Sequence, residues 1–172
     1  MRRLLITRGP PGSGKTTALG ALGLADYTIS ADAARVFLGA PVLTGLGRVE
    51  VDQRLNGRAW RLVMESLEAR MSRGELICVD ATHPTASAFA PYRPLADRFG
   101  YAMACLDFTP VPPEVVHANN QRRAPERVVP SAVVDRILGD CLRGSIPSEV
   151  HAMPWRPDGS HHDHGIRLQP GE

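Results

Sequence analysis

A parallel α/β fold is predicted by two features of the amino-acid sequence. Short apolar segments alternate along the chain with segments of helical periodicity, and the continuous apolar run 76–80 is typical of a strand buried on both faces of a parallel sheet. A glycine-rich turn also joins the first apolar segment directly to a helical one. We therefore predict a central parallel sheet of four to five strands with helices on both faces.

The first third of the chain contains two predicted strands. Residues 3–8 form the first strand and 15–24 the first helix, with the glycine-rich turn between them. β-Branched residues alternate over 26–30 and predict a short second strand, which a helical turn over 33–38 follows. The glycine-rich segment 41–47 is predicted to be a mobile loop.

The rest of the chain continues the alternation. Apolar residues spaced three to five apart predict a long helix over 49–72, which ends at Gly74. Pro91 and Pro94 interrupt the helix that follows. The remaining predicted elements are strands over 76–80, 101–108 and 150–153, and helices over 86–99, 113–120 and 131–142.

Length and composition limit the organisation and the partners. A chain of 172 residues with 43% apolar content can bury one core, so we predict a single domain over 1–150 and a His-, Pro- and Gly-rich extension over 151–172. The formal net charge is only +2, so any binding of a polyanion must depend on local arginine clusters.

Cysteines and apolar runs bear on the cellular compartment. Cys78, Cys105 and Cys141 are far apart and odd in number, which predicts buried thiols in a reducing compartment. We see neither a signal peptide nor an apolar run of about 20 residues, the length that spans a bilayer. We therefore expect a cytoplasmic protein. The His-rich stretch 161–164 has no spaced partner ligands, so no specific metal site is predicted there.

The glycine-rich turn fits the phosphate-binding pattern G-x-x-x-x-G-K-[ST] at every fixed position. Glycines let backbone N–H groups surround a phosphate, and the following helix adds the positive end of its dipole. Lys15 would reach the β- and γ-phosphates, and the Thr16 hydroxyl would help hold Mg²⁺. The nucleotide-binding residues predicted in this segment are Gly9, Gly12, Ser13, Gly14, Lys15, Thr16 and Thr17.

Lys15 is the only lysine among the 20 basic Lys and Arg residues of the chain. A compact ammonium fits between two phosphates where a planar guanidinium would not. The same fact argues against a GTPase, since no lysine remains for a guanine-reading Asn-Lys-x-Asp. The chain also shows no second nucleotide motif and has no room for the extra domains of a motor. A small kinase with the P-loop kinase fold is the class that remains.

Carboxylates follow two of the predicted strands. Asp32 and Arg35 are spaced one helical turn apart after the second strand, whose end we expect to lie beside the phosphate loop. There Asp32 could accept a proton from an attacking hydroxyl and Arg35 could bind an acceptor phosphate. Asp80 ends the third strand, near the expected Mg²⁺ or acceptor site, and the Thr82 hydroxyl could bind a phosphate. Asp80 is thus a second candidate metal ligand.

An arginine-rich segment lies between the last two long helices. Arg122, Arg123 and Arg127 fall within six residues, the arrangement of a kinase lid that brings positive charge over the transferring phosphoryl group. We place this lid at about 119–130 and expect its three arginines to act in catalysis or to contact the nucleotide.

In this order, the motifs resemble the 5′-hydroxyl polynucleotide kinases of the phage DNA and RNA repair type, within the small P-loop kinases (AAA-like, zeta-toxin-like). The resemblance covers roughly residues 3–143. Its motifs are the phosphate loop, Ser30-x-Asp32-x-x-Arg35, Val79-Asp80-Ala81-Thr82, and Asn120-x-x-Arg123 leading to Val129-Pro130.

The resemblance implies transfer of the γ-phosphate of ATP, or of another nucleoside triphosphate, to the 5′-OH end of DNA or RNA with Mg²⁺. It implies that Asp32 is the general base, that Arg35 clamps the phosphate 3′ to the acceptor nucleoside, that Asp80 supports the acceptor site and that Arg123 is the lid arginine. Asn119 stands where many family members carry arginine. Homo-oligomers are compatible with the resemblance.

Two alternatives stay open. The acceptor could be a small molecule, such as a nucleoside, sugar or antibiotic, or a hydroxymethylated base in DNA. Alternatively, the chain could be a nucleotide-binding regulatory module without catalysis. A polynucleotide is favoured by Arg35 and by an arginine row on the long helix, Arg54, Arg58 and Arg61. A small acceptor would be favoured by a closed pocket of Tyr27, Phe37, Phe89 and Tyr92.

Overall fold

The computed structural model describes residues 2–43, 49–50 and 52–155. We number its strands in chain order as β1 (Arg2–Arg8), β2 (Thr28–Ser30), β3 (Val42–Leu43), β4 (Val49–Glu50), β5 (Ile77–Asp80), β6 (Tyr101–Asp107) and β7 (His151–Pro154). The α-helices are α1 (Lys15–Ala21), α2 (Ala31–Leu38), α3 (Asn56–Ser72), α4 (Arg93–Phe99), α5 (Pro113–Gln121) and α6 (Ser131–Arg143). Short 3₁₀ turns cover Ala25–Tyr27, Gln53–Leu55, Ala86–Tyr92 and Pro125–Arg127.

The central sheet has five strands in the order β2-β5-β1-β6-β7, and every neighbouring pair is parallel. The predicted α/β fold with a parallel sheet is therefore confirmed. Because all strands run the same way, the C-terminal ends of β1, β2 and β5 lie along the same edge of the sheet. Ligands bind at this edge in open α/β sheets.

The side chains of the sheet divide between two hydrophobic clusters. Leu4 and Ile6 of β1 pack with α3 and α4 on one face, whereas Leu5 packs with α1 and α6 on the other. The period-two alternation of a strand explains this division. Cys78, Cys105 and Cys141 are free and buried, and burial raises the pKa of Cys78 to about 12, so this thiol stays protonated.

The long helix is shorter than predicted. It begins at Asn56 rather than near residue 49, after the 3₁₀ turn at Gln53–Leu55. Asp52 Oδ1 accepts a hydrogen bond from the Arg54 backbone N–H at 2.9 Å, a local contact that competes with helix formation. Strand β3, at the start of the predicted loop 41–47, pairs in an antiparallel ladder with β4, which lies where the long helix was predicted to begin. Residues 44–48 lie outside the described residues.

The prolines of the following segment divide it into two kinds of helix. Pro91 lies inside the 3₁₀ turn at Ala86–Tyr92, and Pro94 lies in the first turn of α4, where its missing N–H is tolerated. Gly100, with φ 68°, ends α4 in a left-handed conformation that glycine adopts at no steric cost.

The C-terminal part of the described chain completes the sheet edge. Strand β7 pairs with β6, and the Trp155 ring stacks on Phe108 with centroids 4.9 Å apart. Residues 156–172, which include the His-rich stretch, lie outside the described residues, so the division of the chain at residue 150 stays a prediction. Across the described ranges, no helix is both long and apolar enough to cross a membrane.

Candidate nucleotide and phosphoryl-transfer site

The phosphate loop connects the buried end of β1 to the start of α1. Gly12 and Gly14 have φ values of 87° and 90°, which side chains rarely tolerate. A Cβ on Gly12 would lie 2.3 Å from the Val116 carbonyl oxygen of α5, so glycine is also required there by packing. Gly9 donates its backbone N–H to Thr82 O at 2.9 Å, which ties the loop to the end of β5.

Lys15 is drawn into this loop. Its Nζ donates to Gly9 O at 2.9 Å and to Pro10 O at 2.8 Å, and only 9% of the residue is exposed. Burial lowers the pKa of Lys15 to about 8, and the negative charge of Asp80 partly opposes this change. A bound phosphate would raise the pKa of Lys15 again, so the ammonium lies where an anion would stabilise its charged form.

Asp80 connects β1, β5 and α1. Its Oδ1 accepts from the Thr7 hydroxyl at 3.0 Å and its Oδ2 accepts from the Thr16 hydroxyl at 2.7 Å. One hydroxyl and one carboxylate beside a phosphate loop fit Mg²⁺, which takes few protein oxygens and completes its shell with phosphate and water. Among the described residues there is no cluster of three His, Cys, Asp or Glu that could hold a metal independently of phosphate.

Asp32 and Arg35 form the predicted pair on α2. Ser30 caps the helix by accepting from the Ala33 N–H, which fixes Asp32 in its first turn. Arg35 donates from Nη1 to Asp32 Oδ1 and from Nη2 to Asn56 Oδ1 at 2.7 Å on α3. The Asp32 side chain is nevertheless 76% exposed, so its carboxylate stays open to an incoming group.

The order of the strands differs from the expectation that β2 would lie beside the phosphate loop. Strand β5 separates β2 from β1, so Asp80 is the carboxylate next to the loop and Asp32 lies one strand further out. Both carboxylates still act on Lys15, since each raises its pKa.

Arg123 reaches the same centre from the lid. Desolvation lowers its pKa, and the charges of Asp32 and Asp80 act in the opposite direction. Its positive charge also contributes to lowering the pKa of Lys15. The charges of these four side chains are therefore close enough to affect one another.

Two asparagines to which the sequence analysis gave no separate role fix the ends of the predicted lid segment, 119–130. Asn120 is fully buried; its Nδ2 donates to Val129 O at 2.7 Å and its Oδ1 accepts from Val129 N at 3.2 Å, which closes the base of the lid. Asn119 donates from Nδ2 to Gly12 O at 3.1 Å, so the residue where relatives carry arginine binds the phosphate loop here. A polar residue in a helix C-terminal turn gives no such signal in the sequence.

Asn120→Ala is expected to open the lid and slow phosphoryl transfer more than it weakens nucleotide binding. It removes both bonds to Val129 and costs about 1–3 kcal/mol of stability, because the freed backbone groups lose a buried partner. Limited digestion with trypsin should cut faster after Arg123 and Arg127. Gln121→Ala, at the exposed neighbouring position, is the control. Equal digestion of the two variants would contradict the role given to the Asn120–Val129 hydrogen bonds.

The other predicted site residues differ in how closely they approach this centre. The Thr82 backbone binds Gly9, and Ser13 lies buried in the loop with its hydroxyl donating to Pro10 O at 2.8 Å. Arg127 lies near Arg123, since its charge lowers the pKa of Arg123. Thr17 and Arg122 are exposed, and their side chains make no hydrogen bond or ion pair with the described residues.

The residues expected to distinguish the acceptors are dispersed. Arg54 is engaged by Asp52 at 3.0 Å, whereas Arg58 and Arg61 are exposed on α3. The four aromatic residues whose closed pocket would have favoured a small acceptor do not line one pocket: Phe37 is 81% exposed, Tyr27 packs on the α1 face of the sheet, and only Phe89 and Tyr92 are together.

His83, which follows the Asp80 motif, was not among the predicted site residues. It is 3% exposed, and it has φ 40°, the only positive φ at a non-glycine position among the described residues. Its Nδ1 lies 2.7 Å from Thr7 O and therefore donates, so its Nε2 accepts from the Tyr92 hydroxyl at 2.7 Å. This neutral imidazole fixes the turn that follows Asp80.

The neutral state of His83 predicts a pH dependence of stability. Burial lowers the pKa of His83 to about 4 in the folded protein, below its ordinary value of 6.5. The unfolded chain then binds more protons between these values, so stability is lost as the pH falls from 6.5 to 4, by about 3 kcal/mol from this group. His83→Asn keeps a donor for Thr7 O and tolerates a positive φ. Denaturant unfolding should show a shallower pH dependence in the variant, and parallel curves would contradict this assignment.

Arg8 was also missed, and it supports the site from behind. Buried at the end of β1, it binds both Asp107 carboxylate oxygens at 3.1 Å and donates to Cys141 O and Gly144 O at the end of α6. The guanidinium thus joins the strand before the phosphate loop to the helix that follows the lid.

This fold and site define a P-loop protein with the fold of the small kinases. The chain belongs to the AAA domain family, whose model matches residues 4–143. No relative among curated proteins was found by sequence.

Solved structures share the fold at low identity. A chain of the Pnkp1/Rnl/Hen1 RNA repair complex superposes with a TM-score of 0.63 at 18% identity, covering 81% of this chain and 44% of that one. A proposed kinase from Chloroflexus aurantiacus superposes with a TM-score of 0.59 at 18% identity, covering 88% of this chain and 87% of that one. A sugar kinase from Janibacter superposes with a TM-score of 0.58 at 17% identity, covering 90% of this chain and 85% of that one. This chain thus spans less than half of the repair-complex chain, and the likenesses establish the fold alone.

Proposed function

We propose that the protein is an ATP-dependent kinase that phosphorylates the 5′-OH end of a DNA or RNA strand. The observation that carries the proposal is the convergence of Lys15, Asp32, Asp80 and Arg123 on one electrostatic centre at the phosphate loop. A kinase needs a cation at the transferring phosphate, a carboxylate near the acceptor hydroxyl and a lid that excludes water. In this proposal Lys15 is the cation, Asp32 is the carboxylate, and the predicted lid with Arg123 excludes water.

In the proposed reaction, the Asp32 carboxylate takes the proton of the 5′-hydroxyl as the oxygen attacks the γ-phosphorus. The bond between the γ-phosphorus and the β,γ-bridging oxygen breaks, and ADP leaves with that oxygen. Lys15 and Arg123 balance the negative charge on the phosphoryl oxygens. When bound, Mg²⁺ would neutralise phosphate charge, with Thr16 and Asp80 as its candidate ligands.

Arg35 supports an acceptor that carries a phosphate. It holds Asp32 and Asn56 through its two terminal nitrogens, while its Nε is buried without a partner. A phosphate 3′ to the terminal nucleoside would give this guanidinium a further acceptor. The same contact would orient the attacking hydroxyl towards Asp32.

A small-molecule hydroxyl is the second candidate acceptor. It is favoured by a cavity of about 240 Å³ between α3 and the turn after β5, close to Asp80. The fold likeness to a sugar kinase is compatible with it. A cytoplasmic location and homo-oligomers remain predictions.

The direct test is transfer of labelled γ-phosphate from ATP with Mg²⁺ to a short single strand with a 5′-OH. The same strand already 5′-phosphorylated, and a panel of nucleosides and sugars, are assayed in parallel. Label on the 5′-OH strand alone supports the proposal. Label on a small molecule alone replaces it with the second candidate, and absence of any transfer with ATP bound argues against a kinase.

A further inference from the structure

The cavity beside Asp80 has an almost wholly apolar lining. Its walls include Trp60, Met64, Thr82, His83, Pro91 and Tyr92. Trp60 is half-buried and Pro91 is exposed, so the cavity opens to the surface rather than being a packing defect of the core. An occupant could therefore enter from solvent.

The position of the cavity relates it to the acceptor side of the site. Asn56, which holds Arg35, lies one helical turn before Trp60 on α3, and residues four apart share a helix face. On the opposite wall, Thr82 binds Gly9 of the phosphate loop through its carbonyl oxygen. The cavity thus lies between the Asp32–Arg35 pair and the phosphate loop.

The chemistry of the lining selects among acceptors. Both ring nitrogens of His83 and the Tyr92 hydroxyl are already used in hydrogen bonds, which leaves the Thr82 hydroxyl and the Trp60 indole N–H as the side-chain polar groups of the lining without a partner among the described residues. A polyhydroxyl sugar would lose its hydration here and gain only these two side-chain partners. A planar aromatic ring would instead bury its faces against apolar groups.

We propose that this cavity holds the nucleobase of the acceptor's 5′-terminal nucleoside, with Trp60 as its main contact. The inference rests on the proposed function, because it places the base of the strand that Asp32 and Arg35 engage. It assigns the acceptor subsite to α3 and to the turn after β5.

The kinetic test compares two strands that differ only at the 5′-terminal residue. One has an ordinary nucleoside and the other an abasic residue that keeps the 5′-OH and the following phosphate. Base stacking on an aromatic side chain predicts kcat/KM lower for the abasic strand by roughly tenfold or more. Trp60→Ala should remove this preference and Trp60→Phe should retain most of it. Phe37→Ala, an exposed aromatic outside the cavity, is the matched control.

A binding test separates this inference from the proposed function. Trp60 and Trp155 are the two tryptophans, so Trp155→Phe leaves Trp60 as the only tryptophan reporter. With a non-hydrolysable ATP analogue filling the donor site, a deoxynucleoside 3′-monophosphate should quench the fluorescence and the abasic sugar 3-phosphate should not. Transfer to both strands at equal kcat/KM, or equal quenching by both ligands, overturns the nucleobase assignment. Absence of transfer to either strand overturns the proposed function, and the quenching result then decides the cavity.

Discussion

Asp32→Asn is expected to lower phosphoryl transfer by about 10²–10⁴-fold while ATP binds as before. Asparagine keeps the shape of the side chain but cannot accept a proton from the attacking hydroxyl. Asp32 lies on α2, one strand away from the phosphate loop, so the loop contacts of the donor are not altered. The lost ion pair with Arg35 should change stability little, because 76% of the carboxylate side chain is exposed.

The chain offers a matched control for this variant. Asp140 and Arg143 form an ion pair with the same i,i+3 spacing on α6, at an exposed position. Asp140→Asn should leave the transfer rate, ATP affinity and unfolding midpoint unchanged. Single-turnover rates and calorimetric ATP affinities check both variants. Full activity of Asp32→Asn would eliminate Asp32 as the base.

The elements of this fold were readable from the sequence because they depend on local pattern. The apolar run before Asp80 predicts a buried strand, and the phosphate loop is specified by its own residues. The insertion of β5 between β1 and β2 was not readable, since strand order depends on which apolar faces pack together across the sheet. Asp80 therefore lies closer to the loop, and Asp32 further from it, than the sequence suggested.

The site was predictable where a residue acts through its neighbours in the chain. Asp32 and Arg35 are one helical turn apart, and their spacing predicted the pair that forms. The contacts of His83 and Asn120 were not predicted, because their partners are remote in the chain: His83 binds the backbone of Thr7 in β1, and Asn120 binds the backbone of Val129. Such contacts use backbone groups, which leave no trace in residue type.

Lys15→Ala should lower kcat/KM for phosphoryl transfer by at least about a hundredfold. It should also weaken ATP binding. The variant loses the only lysine of the chain and the bonds from Nζ to Gly9 O and Pro10 O that shape the loop. Lys15→Arg should fail nearly as fully, because a planar guanidinium is too large for this buried position. Arg136→Lys, which exchanges the same two residue types at an exposed site on α6, should behave like the unsubstituted protein.

The two variants together separate binding from chemistry. If Asp32 is the base and Lys15 holds the phosphates, Asp32→Asn keeps ATP affinity and loses transfer, whereas Lys15→Ala loses both. Calorimetric titration with ATP and Mg²⁺, with unfolding midpoints to verify the fold, distinguishes these patterns. Unchanged ATP affinity in Lys15→Ala would mean that the donor phosphates bind away from the loop. Because the charge of Arg123 acts on Lys15, the role proposed for the lid would then have to be revised as well.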